Sequence, residues 1–272
     1  IFVRFSPTAV QSYNGNIPVG GGGATSINVV AAGAGINTIA TVTSGAASAI
    51  TSISATVAGT IPSNGCSAIT AYGVEWSTTN GFPNGSGTAV ASGNLTGINF
   101  SSALTGLAPT TTYYYHAYAT NNGGTAYGAQ GSFVTATPIL SSSTLTGFGN
   151  VCINTTAGPN SFTITGTNLT TANVTVAALA GFTYSTTAGG TYTTTLSLTQ
   201  PSGAYSQQIF VRFTPTLVQS YNGNIAVGGG GGSTVNVAAT GAGVNTAPSV
   251  TSGAASAITQ TTATVAGTIP AN

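Results

Sequence analysis

Ser161-Phe162-Thr163-Ile164-Thr165 alternates polar and apolar side chains with a period of two. In an extended strand successive side chains point to opposite faces, so this spacing buries Phe162 and Ile164 and leaves the hydroxyls in water. Thr234-Val235-Asn236-Val237-Ala238 and Ala263-Thr264-Val265-Ala266 read the same way, and helical periodicity is absent along the chain. Further candidate strands lie at 173–177, 193–198, 208–213 and 223–227. Gly, Pro, Asn and Ser interrupt these runs roughly every 8–12 residues, the turn spacing of an all-β sandwich or barrel. The glycines at 228–232 fall where a hairpin joins two strands, and glycine there takes positive φ without strain. A phosphate-cradling loop needs a following helix, which this pattern lacks.

The composition is unusual for a folded protein. Arg4, Arg212 and Glu75 are the only charged side chains, 1% of 272 residues, with no Lys or Asp. Soluble domains carry about 25%. Disordered chains combine high charge with few aromatic and β-branched residues, whereas 41% of this chain is hydrophobic and its solvent-facing positions are Thr, Ser, Asn and Gly. A net charge of +1 offers no electrostatic footprint for nucleic acid or an anionic membrane. Near-zero charge favours association over repulsion. Folding should respond little to salt or pH, since almost nothing titrates or is screened. No run approaches the roughly 18 apolar residues of a membrane helix, so no membrane insertion is expected in this segment.

Residues 1–64 return as residues 209–272, with 47 of 64 positions identical and no gap. Ile1-Phe2-Val3-Arg4-Phe5 becomes Ile209-Phe210-Val211-Arg212-Phe213, and Gln11-Ser12-Tyr13-Asn14-Gly15-Asn16-Ile17 returns at 219–225. The period of 208 residues is far longer than a solenoid unit and leaves room for two sandwiches of about 100 residues each. The chain thus reads as a window on a tandem array. Its expected organisation is the C-terminal part of one module (1–36), a complete second type (37–137), a complete first type (138–245), and the start of another second-type module (246–272). The connecting segments 33–40 and 241–248 are short, which favours a semi-rigid rod.

Each module type resembles a known family. Leu107-Ala108-Pro109-Thr110-Thr111-Thr112-Tyr113 resembles the E–F corner of fibronectin type III domains. That resemblance implies that Tyr113 locks the corner through its hydroxyl. Ala71-Tyr72-Gly73-Val74-Glu75-Trp76-Ser77 departs from vertebrate modules in placing its Trp at position 76, on the expected third strand. Residues 138–245 resemble bacterial immunoglobulin-like repeats, through Phe162-Thr163-Ile164-Thr165-Gly166-Thr167-Asn168-Leu169, Ala180-Gly181-Phe182, and Val211-Arg212-Phe213-Thr214-Pro215 followed by Tyr221-Asn222-Gly223-Asn224-Ile225. The fold class expected is therefore all-β: tandem antiparallel sandwiches, fibronectin type III-like alternating with immunoglobulin-like. The whole pattern is similar to the giant repetitive surface adhesins of gliding Bacteroidetes. This implies a bacterial outer-surface location, export by type IX secretion, and a mechanical role in attachment or gliding motility. Its partners would be other repeats of the same chain, with surface polysaccharide or neighbouring filaments as further candidates.

Catalytic chemistry is poorly supplied. An active site needs acids, bases, nucleophiles or a metal held in geometry, and this chain offers one His, one Glu and two Cys. Calcium loops need carboxylate ligands that are missing, and one His with two separated Cys does not make a zinc site. No enzymatic activity and no cofactor are expected. Alternation across Tyr113–Tyr118 sends Tyr113, Tyr115 and Ala117 inward and Tyr114, His116 and Tyr118 outward. That outward face is the candidate for glycan stacking or lateral filament contact, and the alternative is an ordinary sheet surface. Glu75 should face out on the neighbouring strand, opposite His116.

The cysteines remain. The family resemblance places Cys66 in a loop at the N-terminal pole of its sandwich and Cys152 in a loop at the C-terminal pole of the next, too far apart to bond to one another. Asn64-Gly65-Cys66 aligns with Asn272 and the two positions after it. A further copy would thus bring a cysteine to the junction beside Cys152. The expectation is an inter-domain disulfide from each of Cys66 and Cys152 to the neighbouring repeat, against the alternative of two free thiols.

Overall fold

The computed structural model describes residues 1–200, 202–246 and 250–269. It divides into two compact units, Ile1–Thr137 and Pro138–Asn272. Every regular element among the described residues is a strand.

In the first unit β1 (Gly15–Gly21) and β2 (Ala24–Ala31) form a hairpin. There follow β3 (Thr41–Ser48), β4 (Ser54–Ser63), β5 (Ala71–Ser77), β6 (Thr88–Ala91), β7 (Asn99–Thr105), β8 (Thr112–Asn121), β9 (Gly124–Tyr127) and β10 (Gly131–Val134). One sheet runs β3-β4-β7 and another runs β10-β8-β5-β6, all pairings antiparallel. β9 and β10 both pair with β8, at its two ends, so together they act as one edge strand interrupted at residues 128–130. The core lies between the two sheets: Ala55, Val57, Phe100 and Leu104 from one meet Val74, Tyr113, Tyr115 and Phe133 from the other. Trp76 is part-buried against it and meets Tyr113 edge-on at 5.1 Å.

The second unit contains β11 (Ile139–Ser142), β12 (Asn150–Cys152), β13 (Ala157–Leu169), β14 (Val174–Val176), β15 (Phe182–Ser185), β16 (Leu196–Leu198), β17 (Gly203–Phe213), β18 (Gly223–Gly229), β19 (Gly232–Ala239) and β20 (Ala242–Val244). Sheets β11-β13-β17-β15 and β16-β14-β18-β19 enclose Phe162, Ile164, Tyr184, Ile209, Val211, Phe213 and Ile225. Phe162 and Ile164 sit inside as their spacing requires. One pairing departs from the antiparallel pattern: β12 runs parallel to β20, with Cys152 opposite Val244. The glycine run closes the β18–β19 hairpin, with Gly229, Gly230 and Gly231 at φ +97°, +59° and +77°.

The repeat places one sequence in two environments. Ile209, Val211 and Phe213 are 0% exposed, packed between the sheets. Their counterparts Ile1, Val3 and Phe5 are 104%, 69% and 50% exposed. The side chains are the same; what differs is the presence of β11 to β16, which supply the rest of the core. The same holds at the other end. Ala55-Thr56-Val57-Ala58 lies in the ten-residue β4, which pairs with both β3 and β7. Its copy Ala263-Thr264-Val265-Ala266 is bridged from Thr264 to Ser256 and accepts the Gly253 N–H at the Ala266 carbonyl, next to the short pair β21 (Thr251–Ser252) and β22 (Gly267–Thr268). Residues 247–249, where the second connector ends, lie outside the described residues.

Candidate functional site

Three constellations carry the polar chemistry of the chain. The first is the corner before β8. The Ala108 N–H donates to the Tyr113 hydroxyl at 2.8 Å, while the Tyr113 ring stacks on Phe133. The second unit has a lock of the same kind that the sequence reading missed. The Tyr221 hydroxyl accepts from the N–H groups of Thr216 and Leu217 at 3.0 and 2.9 Å, and Tyr13 repeats the arrangement with Thr8 and Ala9. These hydrogen bonds hold the Tyr221 and Tyr13 hydroxyls below the usual phenol range, the side-chain bond to Thr216 or Thr8 being the largest cause. The signal was present: in each case a tyrosine stands five residues after the amide it binds.

The second constellation is the outer face of β5 and β8, and here the structure corrects the sequence reading. Register places Glu75 directly opposite His116, but neither faces open solvent. The connection between β5 and β6, residues 78–87, folds across this face. Phe82 is buried and meets the His116 ring edge-on at 4.9 Å. His116 donates from Nδ1 to the Gly128 carbonyl at 2.9 Å. The buried Glu75 carboxylate accepts the Gly85 N–H on both oxygens at 3.0 Å, and Gly85 takes a φ of +79° to present it. Asn80, Gln130 and Gly81 fasten the rest of the connection. Tyr114 and Tyr118 are half-buried, so Tyr114, His116 and Tyr118 do not form an exposed aromatic platform. Alternation along β8 gave the right direction for these side chains and missed the loop that covers them.

What stays open there is a cavity of about 200 Å³ bounded by Glu75, Gly85, Ala89, Tyr118 and Tyr127. Burial raises the pKa of Tyr118, with the nearby Glu75 charge as the second cause. Tyr127 is raised for the same reasons in the same order. The arrangement is structural: it satisfies the one carboxylate through a backbone amide. Replacing Glu75 with Ala removes the charge-assisted hydrogen bond from the Gly85 N–H and is expected to destabilise the first unit by about 1.5–3 kcal/mol. Glu75→Gln, which keeps an acceptor, should lose less. Thermal unfolding followed by Trp76 fluorescence reads both; equal losses would mean that the amide contact contributes nothing.

The third constellation surrounds the cysteines, both of which are free and exposed. Cys66 lies between β4 and β5, held against the segment that precedes β3. Its Sγ accepts the Thr38 hydroxyl at 3.1 Å, and its N–H donates to the Thr38 carbonyl at 3.3 Å. The buried Asn121 side chain donates to both the Thr38 and Asn64 carbonyls at 2.9 and 2.8 Å. A Cβ on Gly65 would come within 2.3 Å of the Thr38 carbonyl oxygen, so only glycine permits this close approach. The Thr38 hydroxyl, and then the Thr38 backbone, lower the Cys66 pKa below that of an ordinary thiol. Cys152, at the end of β12, lies with its Sγ 4.0 Å from the Thr246 hydroxyl. Among the described residues no group of three or more His, Cys, Asp or Glu side chains is gathered as a metal site would require.

No family model matches the chain, and no curated protein does. Among solved structures, it is similar to a crystal structure of the chicken CNTN1 FN1–FN3 domains, at 16% identity over 84% of each chain with a TM-score of 0.27. A superposition at that score places no residue of this chain in correspondence with one of that protein, and the architecture rests on the strand pairing: an all-β chain of antiparallel sheets packed around two cores.

Proposed function

We propose that this chain is a load-bearing segment of a tandem array, a stalk or filament of a very large secreted cell-surface adhesin that acts mechanically in attachment or surface motility. The observation that carries the reading is the gapless return of residues 1–64 at 209–272. The two copies are identical at 47 of 64 positions with unlike sequence between them, which is the pattern of a tandem array. Other features agree with it. The polar groups are spent on corners, caps and connectors, and the one carboxylate is buried under a loop. A surface of uncharged hydroxyls and amides gives a segment whose stability and adhesion are little affected by ionic strength. Localisation outside the cell belongs to the same proposal.

Electron microscopy of the native protein tests it. Single strands of beads with two modules per period are the expected result. Strands fused side by side, or many copies wound into a helix, would overturn it in favour of a self-associating fibre in which the repeats themselves polymerise. Strand edges in this chain lack the charges that usually prevent edge-to-edge pairing, so that outcome has a physical route.

A further inference from the structure

The two cysteines meet the same place in the repeat. Cys66 is hydrogen-bonded to Thr38, and Cys152 lies against Thr246, which is Thr38 one period later. The connector Ile36-Asn37-Thr38 and its copy Val244-Asn245-Thr246 are therefore approached from two sides. From the module that follows it, Cys66 binds Thr38 and Ser67 donates to the Asn37 side chain at 3.4 Å. From the module that precedes it, Cys152 pairs with Val244, and the Ile153 N–H donates to the Val244 carbonyl at 3.0 Å. Neither sulfur is more than 4.0 Å from its copy of that threonine hydroxyl.

A second observation points to the same occupant. Cys66 borders a cavity of about 220 Å³, whose other walls include Pro7, Gly35 and Ile36. In the second unit the counterparts of those three residues are covered by the Cys152 strand and the turn after it. Val151 pairs with Gly243, Cys152 pairs with Val244, and the Asn154 N–H donates to the Pro215 carbonyl at 2.7 Å. In an array, the 150–154 segment of a neighbouring copy would lie beside Cys66 as residues 150–154 lie on Pro215, Gly243 and Val244 here.

We infer that each connector is clasped by a disulfide between the cysteine equivalent to Cys152 in one module and the cysteine equivalent to Cys66 in the next. The bond rests on the array reading, because its two partners come from successive copies. Two thiols become one S–S bond, and two protons and two electrons pass to a small-molecule disulfide. Oxidised glutathione is sufficient: the thiolate at the Cys66 position attacks it and releases one glutathione. The Cys152 thiol, deprotonated, then displaces the second. Thiolate character at Cys66 favours that order of attack. Closure makes the connector a double attachment, with the backbone as one strand and the disulfide as the other.

The test uses the full chain continued at its C-terminus by a second copy of its own residues 65–137. It is incubated with oxidised glutathione at low protein concentration and mapped by mass spectrometry without reduction. The expected product links Cys152 to the added cysteine within one molecule and leaves Cys66 unlinked to protein, so two of three thiols disappear into one bond. In the same extended chain Cys152→Ser should leave the added cysteine glutathionylated and unbridged. A Cys66–Cys152 link, covalent dimers, or glutathione on all three cysteines of the extended chain would overturn the inference. The second copy is supplied in this chain, so absence of the bond counts against the clasp alone, whereas the microscopy above bears on the array alone.

Discussion

Truncation of Phe213 to Ala is expected to destabilise the second unit by about 3–5 kcal/mol, the range for deleting a fully buried phenyl ring. Phe213 stacks on Phe182 at 4.8 Å and meets Phe148 and Tyr221 at 5.7 and 5.4 Å, so its loss leaves a cavity bounded by three rings that are themselves fixed. The same substitution at Phe5, in the same local sequence, should cost only about 1 kcal/mol, since half of that side chain is already in water. Its ring meets Tyr13 edge-on at 5.6 Å. Hydrogen exchange resolved on peptides from β17 to β19, and on the matching peptides of residues 1–36, reads both variants against the parent. Comparable losses would show that residues 1–36 are built into a core of their own in solution. Because composition, propensity and neighbours in sequence are matched, this comparison isolates tertiary packing.

Tyr184 gives the second large effect, in the opposite direction. Its ring is fully buried, and its hydroxyl is the one buried side-chain polar atom among the described residues without a hydrogen-bond partner. Removing an unsatisfied buried hydroxyl recovers its desolvation penalty, so Tyr184→Phe is expected to stabilise the second unit by about 1–3 kcal/mol. A pH signature accompanies it. Burial pushes the Tyr184 pKa up to about 12, and the Leu179 backbone offsets part of that rise without completing a hydrogen bond. Between the ordinary phenol value of 10.0 and about 12, the folded state keeps a proton that the unfolded state releases. Stability therefore declines as pH rises through that window and is unaffected by this group below it. Denaturant unfolding at pH 8 and pH 11 should show a smaller alkaline loss in Tyr184→Phe than in the parent. Destabilisation by the substitution would mean that the hydroxyl has a partner in solution.

How much of this could be read from the sequence depends on how far apart the interacting residues lie. Strand identity and facing were legible wherever alternation was strict: Phe162 and Ile164 in β13, Tyr113 and Tyr115 in β8, and the glycine hairpin after β18. Boundaries were less so. The strand expected at 208–213 runs from Gly203 to Phe213, because β13 pairs with its whole length. The covering of His116 and Glu75 was illegible, since it depends on where residues 78–87 come to rest, and no local pattern encodes that. The parallel pairing of β12 with β20 joins segments about 90 residues apart, and β12 is three residues long, too short to show a period. The Tyr221 lock was legible in principle, by its five-residue offset from Thr216. That Cys66 and Cys152 lie against threonines one period apart needed both the repeat and the coordinates.

The return of residues 1–64 at 209–272 has a consequence for biogenesis. A strand that completes a core in one copy is chemically interchangeable with its relative in another, so nascent or refolding chains can insert the wrong one. Misassembly of this kind is a characteristic failure of repetitive proteins. In this chain an unlike module is interposed between like sequences, so a competing strand arrives only after a whole further module has been made. If modules close in the order they emerge, each core is sealed before its rival exists. The interposed module then acts as a timing device, which like sequences in direct succession would forfeit.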